Sequence, residues 1–325
     1  MAFKSDQLPV VSIVVPLDNH AKVVGASIES CLAQAYPNVE VVLVDNCSSD
    51  SSVEIARSYE PRVRLIVSSK PMSISMARNV GLSHAIGDFV LFHESDDVLF
   101  PDRIWHDLEI VYREPQVDIV ISINRWFREG EPLLYNPEPM CRRERRLLRH
   151  MTSVSGAAER SIVSMLQYDG PQHSCMLYKT SVARAMGGYR SGTGPYADRE
   201  MLFRALCRGA KVAVNPRITS GWRLHDCEKR VAQAFRKDDD IHRLALAKNY
   251  AAALEQAGLL HQGPVLKTLI AHVMVRVHDY AKRRHHPEIA KAALDLIASL
   301  TKYNGYACNT LNEDNADVVQ SVNKS

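Results

Sequence analysis

The 325-residue chain lacks a long apolar run and a strong charge of one sign. No stretch approaches 18 consecutive apolar residues, so the sequence predicts no transmembrane helix. The 40 Lys+Arg against 37 Asp+Glu give a formal net charge of +3, which does not indicate a nucleic-acid-binding protein. The apolar fraction of 46% and the charged fraction of 24% are ordinary for a globular protein and exclude a disordered or fibrous chain.

The cysteines lack the spacing of a metal site or a disulfide scaffold. Seven cysteines are spread from Cys31 to Cys308, and no CxxC pair occurs. Reduced thiols are typical of the cytosol. The first residues, MAFKSDQ, do not show the charged and then apolar pattern of a secretion signal. We therefore expect a cytoplasmic protein, with peripheral contact to the inner face of the membrane if it acts on a membrane substrate.

Short β-branched segments alternate with helical patterns over the first 123 residues. The predicted strands are 10–15, 39–44, 63–67, 89–92 and 117–123, and the predicted helices are 21–35, 51–59, 73–85 and 101–112. This alternation predicts an α/β fold with a mostly parallel sheet and flanking helices. Such a sheet binds its ligand at the carboxyl ends of its strands. Three polar clusters follow strands there, at 18–19, 45–46 and 94–97, and three clusters on one edge favour a binding site over three plain turns.

The second half of the chain is less regular and then becomes helical. Prolines suggest a loop in 128–158, and five arginines between 142 and 149 form either a solvated helix face with Glu144 or a flap that meets a phosphate or an anionic acceptor. A short strand is predicted at 212–214, and three amphipathic helices are predicted at 241–259, 265–280 and 287–300. The apolar stripe of 265–280 favours a contact within the chain over the face of a homodimer. We expect a first domain over 1–237, with halves 1–127 and 128–237, and a helical region over 238–325.

The acids at 94–97 need an explanation of their own. Glu94, Asp96 and Asp97 repel one another unless a cation or a donor compensates them, and hard oxygen ligands suit Mg²⁺ or Mn²⁺. The alternative is a helix N-terminus near Pro101, which also favours acids. Asp45 can accept from a base or a ribose, or it can close an Asx turn. Asp198 and Glu200 begin a helix, where acids are common.

Seven motifs in a fixed order resemble those of the family 2 glycosyltransferases. They extend over roughly residues 10 to 227 and are, in chain order, Val11–Asn19 (VSIVVPLDN), Val42–Asp50 (VLVDNCSSD), Ala77–Gly81 (ARNVG), Phe89–Asp97 (FVLFHESDD), Gly187–Tyr189 (GGY), Tyr196–Arg204 (YADREMLFR) and Trp222–His225 (WRLH). The resemblance implies a GT-A fold and an inverting transfer from a nucleoside-diphosphate sugar, usually linked to UDP.

The resemblance also implies roles for particular residues. Asp198 is the implied catalytic base, and Asp96 and His225 are the implied ligands of a Mn²⁺ or Mg²⁺ cofactor. The implied donor-binding residues are Pro16, Asn19, Asp45, Arg78, Glu94, Ser95, Asp97 and Arg223. The acceptor stays open among a saccharide, a lipid-linked sugar, a small molecule and a peptide, and nucleic acid is not expected.

Four positions depart from the family pattern. Asp18 stands where a ring is usual, Glu94 replaces the commoner Asp, and Ala197 replaces a Glu that precedes the base. Cys47 replaces a Gly, which implies that the backbone there needs no positive φ. These departures leave a second reading open, a GT-A-like binding or scaffold protein with weakened catalysis. A nucleotidyltransferase is disfavoured, because no glycine-rich loop follows the first strand.

Overall fold

The computed structural model describes residues 8–128, 140–154, 158–167, 173–224 and 228–301. Within them the strands are β1 (Val11–Leu17), β2 (Val39–Asp45), β3 (Arg64–Val67), β4 (Phe89–Phe92), β5 (Val98–Leu99), β6 (Ile119–Arg128), β7 (Met176–Lys179) and β8 (Val212–Leu224). The helices are α1 (Val24–Leu32), α2 (Ser52–Arg57), α3 (Ile74–His84), α4 (Arg103–Arg113), α5 (Arg142–Val154), α6 (Ala158–Gln167), α7 (Thr180–Ala185), α8 (Ala197–Cys207), α9 (Glu228–Gln256), α10 (Gly263–Val273), α11 (Asp279–Arg283) and α12 (Pro287–Thr301). A π-helical stretch, Met274–His278, joins α10 to α11.

The strands form one mixed sheet in the order β3-β2-β1-β4-β7-β6-β8-β5. The segment β3-β2-β1-β4 is parallel, as the alternation of strands and helices predicts. Beyond β4 the sheet is mixed, because β7 runs antiparallel to both β4 and β6, whereas β6 and β8 are parallel and β5 is antiparallel to β8. The predicted α/β fold with flanking helices is thus confirmed, with mixed strand directions in the second half of the sheet.

The strand β1 lies between β2 and β4 in the interior of the sheet. All seven of its residues are buried. Helix α3 lies close to this strand at Gly81, where a β-carbon would stand 2.2 Å from Val14 Cγ1. A side chain at residue 81 would therefore push the helix away from β1. This close approach holds α3, which carries Arg78, next to the carboxyl end of the central strands.

The strand β8 is longer and less regular than the sequence predicts, and one predicted loop contains a helix. The sequence predicts a strand only at 212–214, but β8 continues to Leu224. Its register against β6 shifts between Ile121 and Asn124, where the run through Asn215 and Pro216 bulges out of the ladder. A bulge admits a proline within a strand because the missing N–H is not needed there. The predicted loop in 128–158 also contains a helix, since α5 begins at Arg142.

The chain divides into two compact units. The first comprises Met1–Gly156, Pro171–Ser191 and Ala210–Glu228, and it contains the whole sheet. The second comprises Ala157–Gly170, Gly192–Gly209 and Lys229–Ser325. The domain boundary at 237/238 remains a prediction. Among the described residues, no helix combines the length and the apolar character that crossing a membrane requires.

The second unit has an apolar core and a partly buried ion network. Phe203 of α8 stacks on Tyr250 of α9 with ring centroids 3.9 Å apart, and the stripe of α10 is buried at Leu266 and Leu269. The network centres on two neighbouring acids of α9. Arg284 donates to both of them, at 3.0 Å to Asp239 and 2.8 Å to Asp240. Further donors to these two carboxylates are Tyr196, Arg243 and His286.

Candidate functional site

Asp45 lies where β2 ends at the carboxyl edge of the sheet. Its side chain is buried, and both carboxylate oxygens accept from the backbone N–H of Ser48, at 3.3 and 3.2 Å. These hydrogen bonds close the Asx turn that the sequence analysis gives as one alternative for Asp45. A carboxylate has about four acceptor positions, so Asp45 can hold the turn and still accept from a ligand.

The loop after β1 is tied to the loop after β2 by side-chain hydrogen bonds. Pro16 lies opposite Val44 in the parallel ladder. The side-chain oxygen of Asn19 accepts from the backbone N–H of Ser49 at 2.8 Å. Asp18 accepts from the amides of Asn19, at 2.7 Å, and Asn46, at 3.1 Å. An acid at residue 18 therefore fastens the two loops together, which an aromatic ring could not do.

The expectation for the backbone of Cys47 is wrong. Its φ is 60°, in the left-handed region that a β-carbon disfavours. The thiol donates to the carbonyl of Ser68 at 3.2 Å, which holds the residue in this conformation. The turn after β2 thus keeps the backbone that a glycine would supply, although the residue is not glycine.

Arg78 links the third and fourth motifs. Its guanidinium is buried and pairs with Glu94, with 2.5 Å from Nη2 to Oε1. The longer reach of Glu94 compared with Asp makes this contact possible. The same guanidinium lies 5.2 Å from the ring centroid of Tyr189. Both the charge and the plane of Arg78 are therefore fixed by its neighbours.

Tyr189 is positioned by the residue that follows Arg78. The side chain of Asn79 exchanges two hydrogen bonds with the backbone of Tyr189, at 2.8 and 2.7 Å. Gly188 has a φ of 67°, and a β-carbon there would stand 2.2 Å from Asn79 Oδ1. The ARN and GGY motifs, more than a hundred residues apart, thus form one contact.

The loop after β4 presents a serine and three acids. Ser95 Oγ lies 2.7 Å from His20 Nδ1. Asp97 accepts from the backbone N–H of Arg223 at 2.9 Å, and Arg223 Nε donates to the carbonyl of Asp96 at 2.9 Å. Burial raises the pKa of the Asp97 carboxyl well above its usual range, and the negative charge of Asp96 raises it further. A cation bound beside Asp97 would favour its charged form and lower that pKa.

The residues at this edge fit a divalent cation that is shared with a ligand. Among the described residues, no group of three or more His, Cys, Asp or Glu side chains is placed to hold a metal by itself. Mg²⁺ and its relatives are often held by one or two carboxylates together with substrate phosphates. Asp96 offers such a carboxylate, and Asp97 is the next residue in the chain. His225, the second predicted ligand, lies outside the described residues.

Asp198 belongs to the second unit, in the first turn of α8. It is buried, and its Oδ1 accepts from the backbone N–H of Arg199 at 2.7 Å. Glu200 forms two hydrogen bonds with Arg204, at 2.9 and 2.8 Å, which commits it to the helix. Ala197 is buried and apolar. Glu200 is therefore bound to Arg204 within the helix, and Asp198 remains the predicted base.

Three residues of the site were not singled out from the sequence. They are His20, which contacts Ser95, Tyr189, which contacts Arg78, and Asn79, which holds Tyr189. Asn79 and Tyr189 lie in recognised motifs and His20 directly follows one, but the contacts join distant parts of the chain. Only the position next to a predicted residue, such as Asn19 or Arg78, could have drawn attention to them.

Comparison with known proteins supports the resemblance that the sequence motifs indicate. Residues 12–164 match the sequence model of the family described as Glycosyl transferase family 2. The succinoglycan biosynthesis protein ExoO of Rhizobium meliloti is 39% identical over 105 residues, which are 32% of this chain and 30% of that protein. The chain spans less than half the length of the first curated relatives that it matches.

Two solved structures share the fold. The complex of S. aureus TarS 1-349 with UDP-GlcNAc has a TM-score of 0.57 at 16% identity and 90% coverage of both chains. The mannosyltransferase PcManGT from Pyrobaculum calidifontis, in complex with GDP-Man and Mn²⁺, has a TM-score of 0.56 at 16% identity, with 89% of this chain and 87% of that chain covered. These similarities confirm the predicted GT-A fold.

Proposed function

We propose, from the match of residues 12–164 to the glycosyl transferase family 2 model, that the chain transfers a sugar from a nucleoside-diphosphate sugar to an acceptor hydroxyl. The transfer inverts the anomeric carbon. One observation carries the proposal: the carboxyl edge of β1, β2 and β4 brings together Asp45, the Arg78–Glu94 pair and the Asp97–Arg223 contact.

We assign the residues after β2 to the nucleotide of the donor, and the residues of α3 and of the loop after β4 to its diphosphate and sugar. Asp45, beside the loop fastened by Asn19, accepts from the nucleotide base or ribose. Arg78, Glu94, Ser95 and Asp97 lie towards the diphosphate and the sugar. The complexes of the structural neighbours with UDP-GlcNAc and with GDP-Man support a donor of this chemical class, and the uridine form is the one we propose.

The leaving diphosphate gains negative charge as the glycosidic bond breaks. A divalent cation, Mn²⁺ or Mg²⁺, held by Asp96 with His225 as its candidate second ligand, would neutralise that charge. Arg223 donates to the carbonyl of Asp96 and its backbone N–H donates to Asp97, so it fixes the loop on which these acids lie. The Mn²⁺ in the PcManGT complex supports this part of the proposal.

Asp198 is proposed to accept the proton of the acceptor hydroxyl as that oxygen attacks the anomeric carbon. Attack from the face opposite the leaving group gives inversion through an oxocarbenium-like transition state, as in glycoside hydrolysis. Replacing the carboxylate by an amide removes the base and keeps the size. Asp198→Asn should therefore bind the donor and fail to transfer.

Donor binding is tested by the melting temperature of the purified chain. UDP, dTDP, GDP and CMP are compared, each with Mn²⁺, Mg²⁺ or EDTA. A nucleotide at 100 times its Kd adds about 2.7 kcal/mol to the free energy of unfolding. We expect a shift for UDP with metal that is lost in EDTA and in Asp96→Asn and is reduced in Asp45→Asn. Asp102→Asn, on an exposed side chain at the start of α4, is the matched control.

Turnover is tested by the release of nucleoside diphosphate from UDP-GlcNAc and from GDP-Man. Release by the native chain that disappears in Asp198→Asn supports the enzyme. Nucleotide binding with no release from any donor would favour the alternative of a binding protein with lost turnover, which the buried Ala197 motivates. No binding of any nucleotide would overturn the proposal.

A further inference from the structure

Helix α4 begins with a buried charged pair that the proposed reaction does not use. Arg103 and Asp107 lie one turn apart, with 2.5 Å from Nε to Oδ2, and their side chains are 0% and 1% exposed. Nη1 of Arg103 also donates to the carbonyl oxygen of Ser174 at 3.1 Å. Such a pair needs an explanation, because both charges lose their hydration when they are buried.

Stability alone does not account for this pair. Burial raises the pKa of the Asp107 carboxyl above its usual range, although Arg103 and Asn215 act to lower it. A carboxyl whose pKa is raised by folding destabilises the folded chain at neutral pH, because folding disfavours its charged form. Within the described part of the chain, the buried Nη2 of Arg103 has no hydrogen-bond partner. A buried polar pair of this kind can instead select one register over another.

The pair lies beside the bulge at which the register of β8 against β6 changes. Along β6, the step from Ile121 to Asn124 is three residues. The facing step along β8, from Val214 to Ser220, is six residues. The intervening residues 215–219, which we call the bulged run, therefore contain more chain than the ladder needs.

Helix α4 binds both ends of the bulged run. Asp107 Oδ1 accepts from Asn215 Nδ2 at 2.7 Å. Arg103 Nη1 donates to Thr219 Oγ1 at 3.0 Å, and that hydroxyl donates to Ser122 of β6 at 2.8 Å. All of these residues are buried. The bulged run therefore cannot shift along β6 without leaving buried polar groups unpaired, which is costly.

The register beyond the bulge decides which side chain reaches the loop after β4. There Arg223 donates its backbone N–H to Asp97 and its Nε to the carbonyl of Asp96. Because side chains alternate between the two faces of a sheet, a slip by one residue would turn Arg223 to the other face. Trp222 or Leu224 would then take its place, and neither carries a guanidinium.

We propose that the buried Arg103–Asp107 pair sets the register of β8 and thereby places Arg223 at the loop after β4. Arg103 and Asp107 are positioning residues, because they act on the donor site only through the strand. The effect on donor binding rests on the proposed function, whereas the register of the strand does not.

Two tryptophans report this register without any ligand. Trp126 and Trp222 lie opposite each other in the ladder, with ring centroids 5.2 Å apart and an angle of 76° between the rings. Indoles this close give an exciton couplet in circular dichroism. A slip by one residue would put the two rings on opposite faces of the sheet and abolish the couplet. Trp126→Phe assigns the signal, since Trp105, the third tryptophan, contacts a tyrosine.

The test replaces both charges by apolar side chains, in Arg103→Met/Asp107→Leu. Removing one partner would leave an unpaired buried charge, but replacing both is often neutral or stabilising. We therefore expect the double variant to melt no lower than the native chain and to lose the tryptophan couplet. Its Kd for UDP with Mn²⁺ should rise by roughly 10- to 100-fold, which corresponds to the charge-assisted hydrogen bonds that Arg223 makes.

The matched control is Glu109→Gln/Arg113→Gln, which removes an exposed ion pair of the same spacing on the same helix. It should keep both the couplet and the Kd. A double variant that keeps the couplet would overturn the proposal, as would an equal loss of the couplet in the control. A lost couplet with native UDP binding would overturn the link to the donor site.

Two further outcomes are decided by other measurements. If the native chain binds no nucleotide, the proposed function fails, and the couplet alone decides whether the pair sets the register. If the double variant does not fold, Thr219→Val replaces it, because this change removes only the hydroxyl that Arg103 and Ser122 contact. It should weaken the couplet and raise the Kd, and native values of both would overturn the proposal.

Discussion

At Cys47 the chain holds a β-carbon in a backbone conformation that glycine tolerates better. A left-handed residue with a side chain costs roughly 1–2 kcal/mol, and glycine loses about 0.5–1 kcal/mol in chain entropy on folding. We therefore expect Cys47→Gly to raise the free energy of unfolding by about 0.5–1 kcal/mol, measured by urea denaturation.

Cys47→Ala is the control, because it keeps the β-carbon and loses only the thiol bond to Ser68. It should be no more stable than the native chain. A glycine variant less stable than the alanine variant would contradict the account of the strain.

For single residues, the sequence was most informative about charge and least informative about conformation. The acids at Asp45 and Glu94 to Asp97 could be found because polar residues directly after buried strands point to the ligand edge of the sheet. The φ of Cys47 could not, since the turn is imposed by the loops tied through Asn19 and Asn46. The partners of Arg78 were hidden as well, because Tyr189 lies far away in sequence.

At the scale of elements, the ion network of the second unit ties α9 to Tyr196 and Arg284. Burial acts to raise the pKa of Asp239, but hydrogen bonds from Tyr196, Arg243 and Arg284 lower it below its usual 3.8. A carboxyl whose pKa is lowered by folding stabilises the protein at pH values above the pKa that this group has in the unfolded chain. That stability is lost as the pH falls through the lower pKa of the folded state.

Asp239→Asn should therefore lower the free energy of unfolding by about 2–3 kcal/mol at pH 7, because it removes charge-assisted hydrogen bonds. The difference from the native chain should shrink below about pH 4, and melting curves recorded from pH 3 to pH 7 measure it. Asp295→Asn, at an exposed position of α12, should change neither quantity. A loss of stability that is the same at all pH values would mean that the charge of Asp239 does not account for its contribution.

The elements that the sequence missed are those defined by long-range pairing. The strands β1 to β4 were predicted because each is a short apolar run bounded by turn residues. β7 has only four residues, and its place between β4 and β6 comes from antiparallel partners far along the chain. The extension of β8 was hidden by Asn215 and Pro216, which are typical of a turn but here occupy a bulge.

At the scale of the whole molecule, the second unit gathers three separate pieces of the chain. Helices α6 and α8 precede residue 238, but their packing partners follow it. Phe203 stacks on Tyr250, and His272 Nδ1 lies 2.8 Å from the carbonyl oxygen of Leu166. Cutting the chain after residue 237 would expose both helices to water.

We expect a fragment of residues 1–237 to be aggregated or to melt at a lower temperature than the full chain, as measured by size-exclusion chromatography and calorimetry. Co-expression with residues 238–325 should restore a folded complex, because the missing contacts are apolar and need no covalent link. A fragment 1–237 that is monomeric and as stable as the full chain would instead establish the predicted domain boundary.

The strand β7 has a further consequence for how the protein is made. On a ribosome β4 and β6 emerge long before β7, since β6 ends at Arg128 and β7 begins at Met176. Until then the growing sheet has open edges at β4 and β6, with unpaired N–H and C=O groups beside fully buried residues such as Leu91 and Ile121. The nascent chain is therefore most prone to aggregation during that interval, and translation speed between residues 128 and 179 is a natural point of control over its yield.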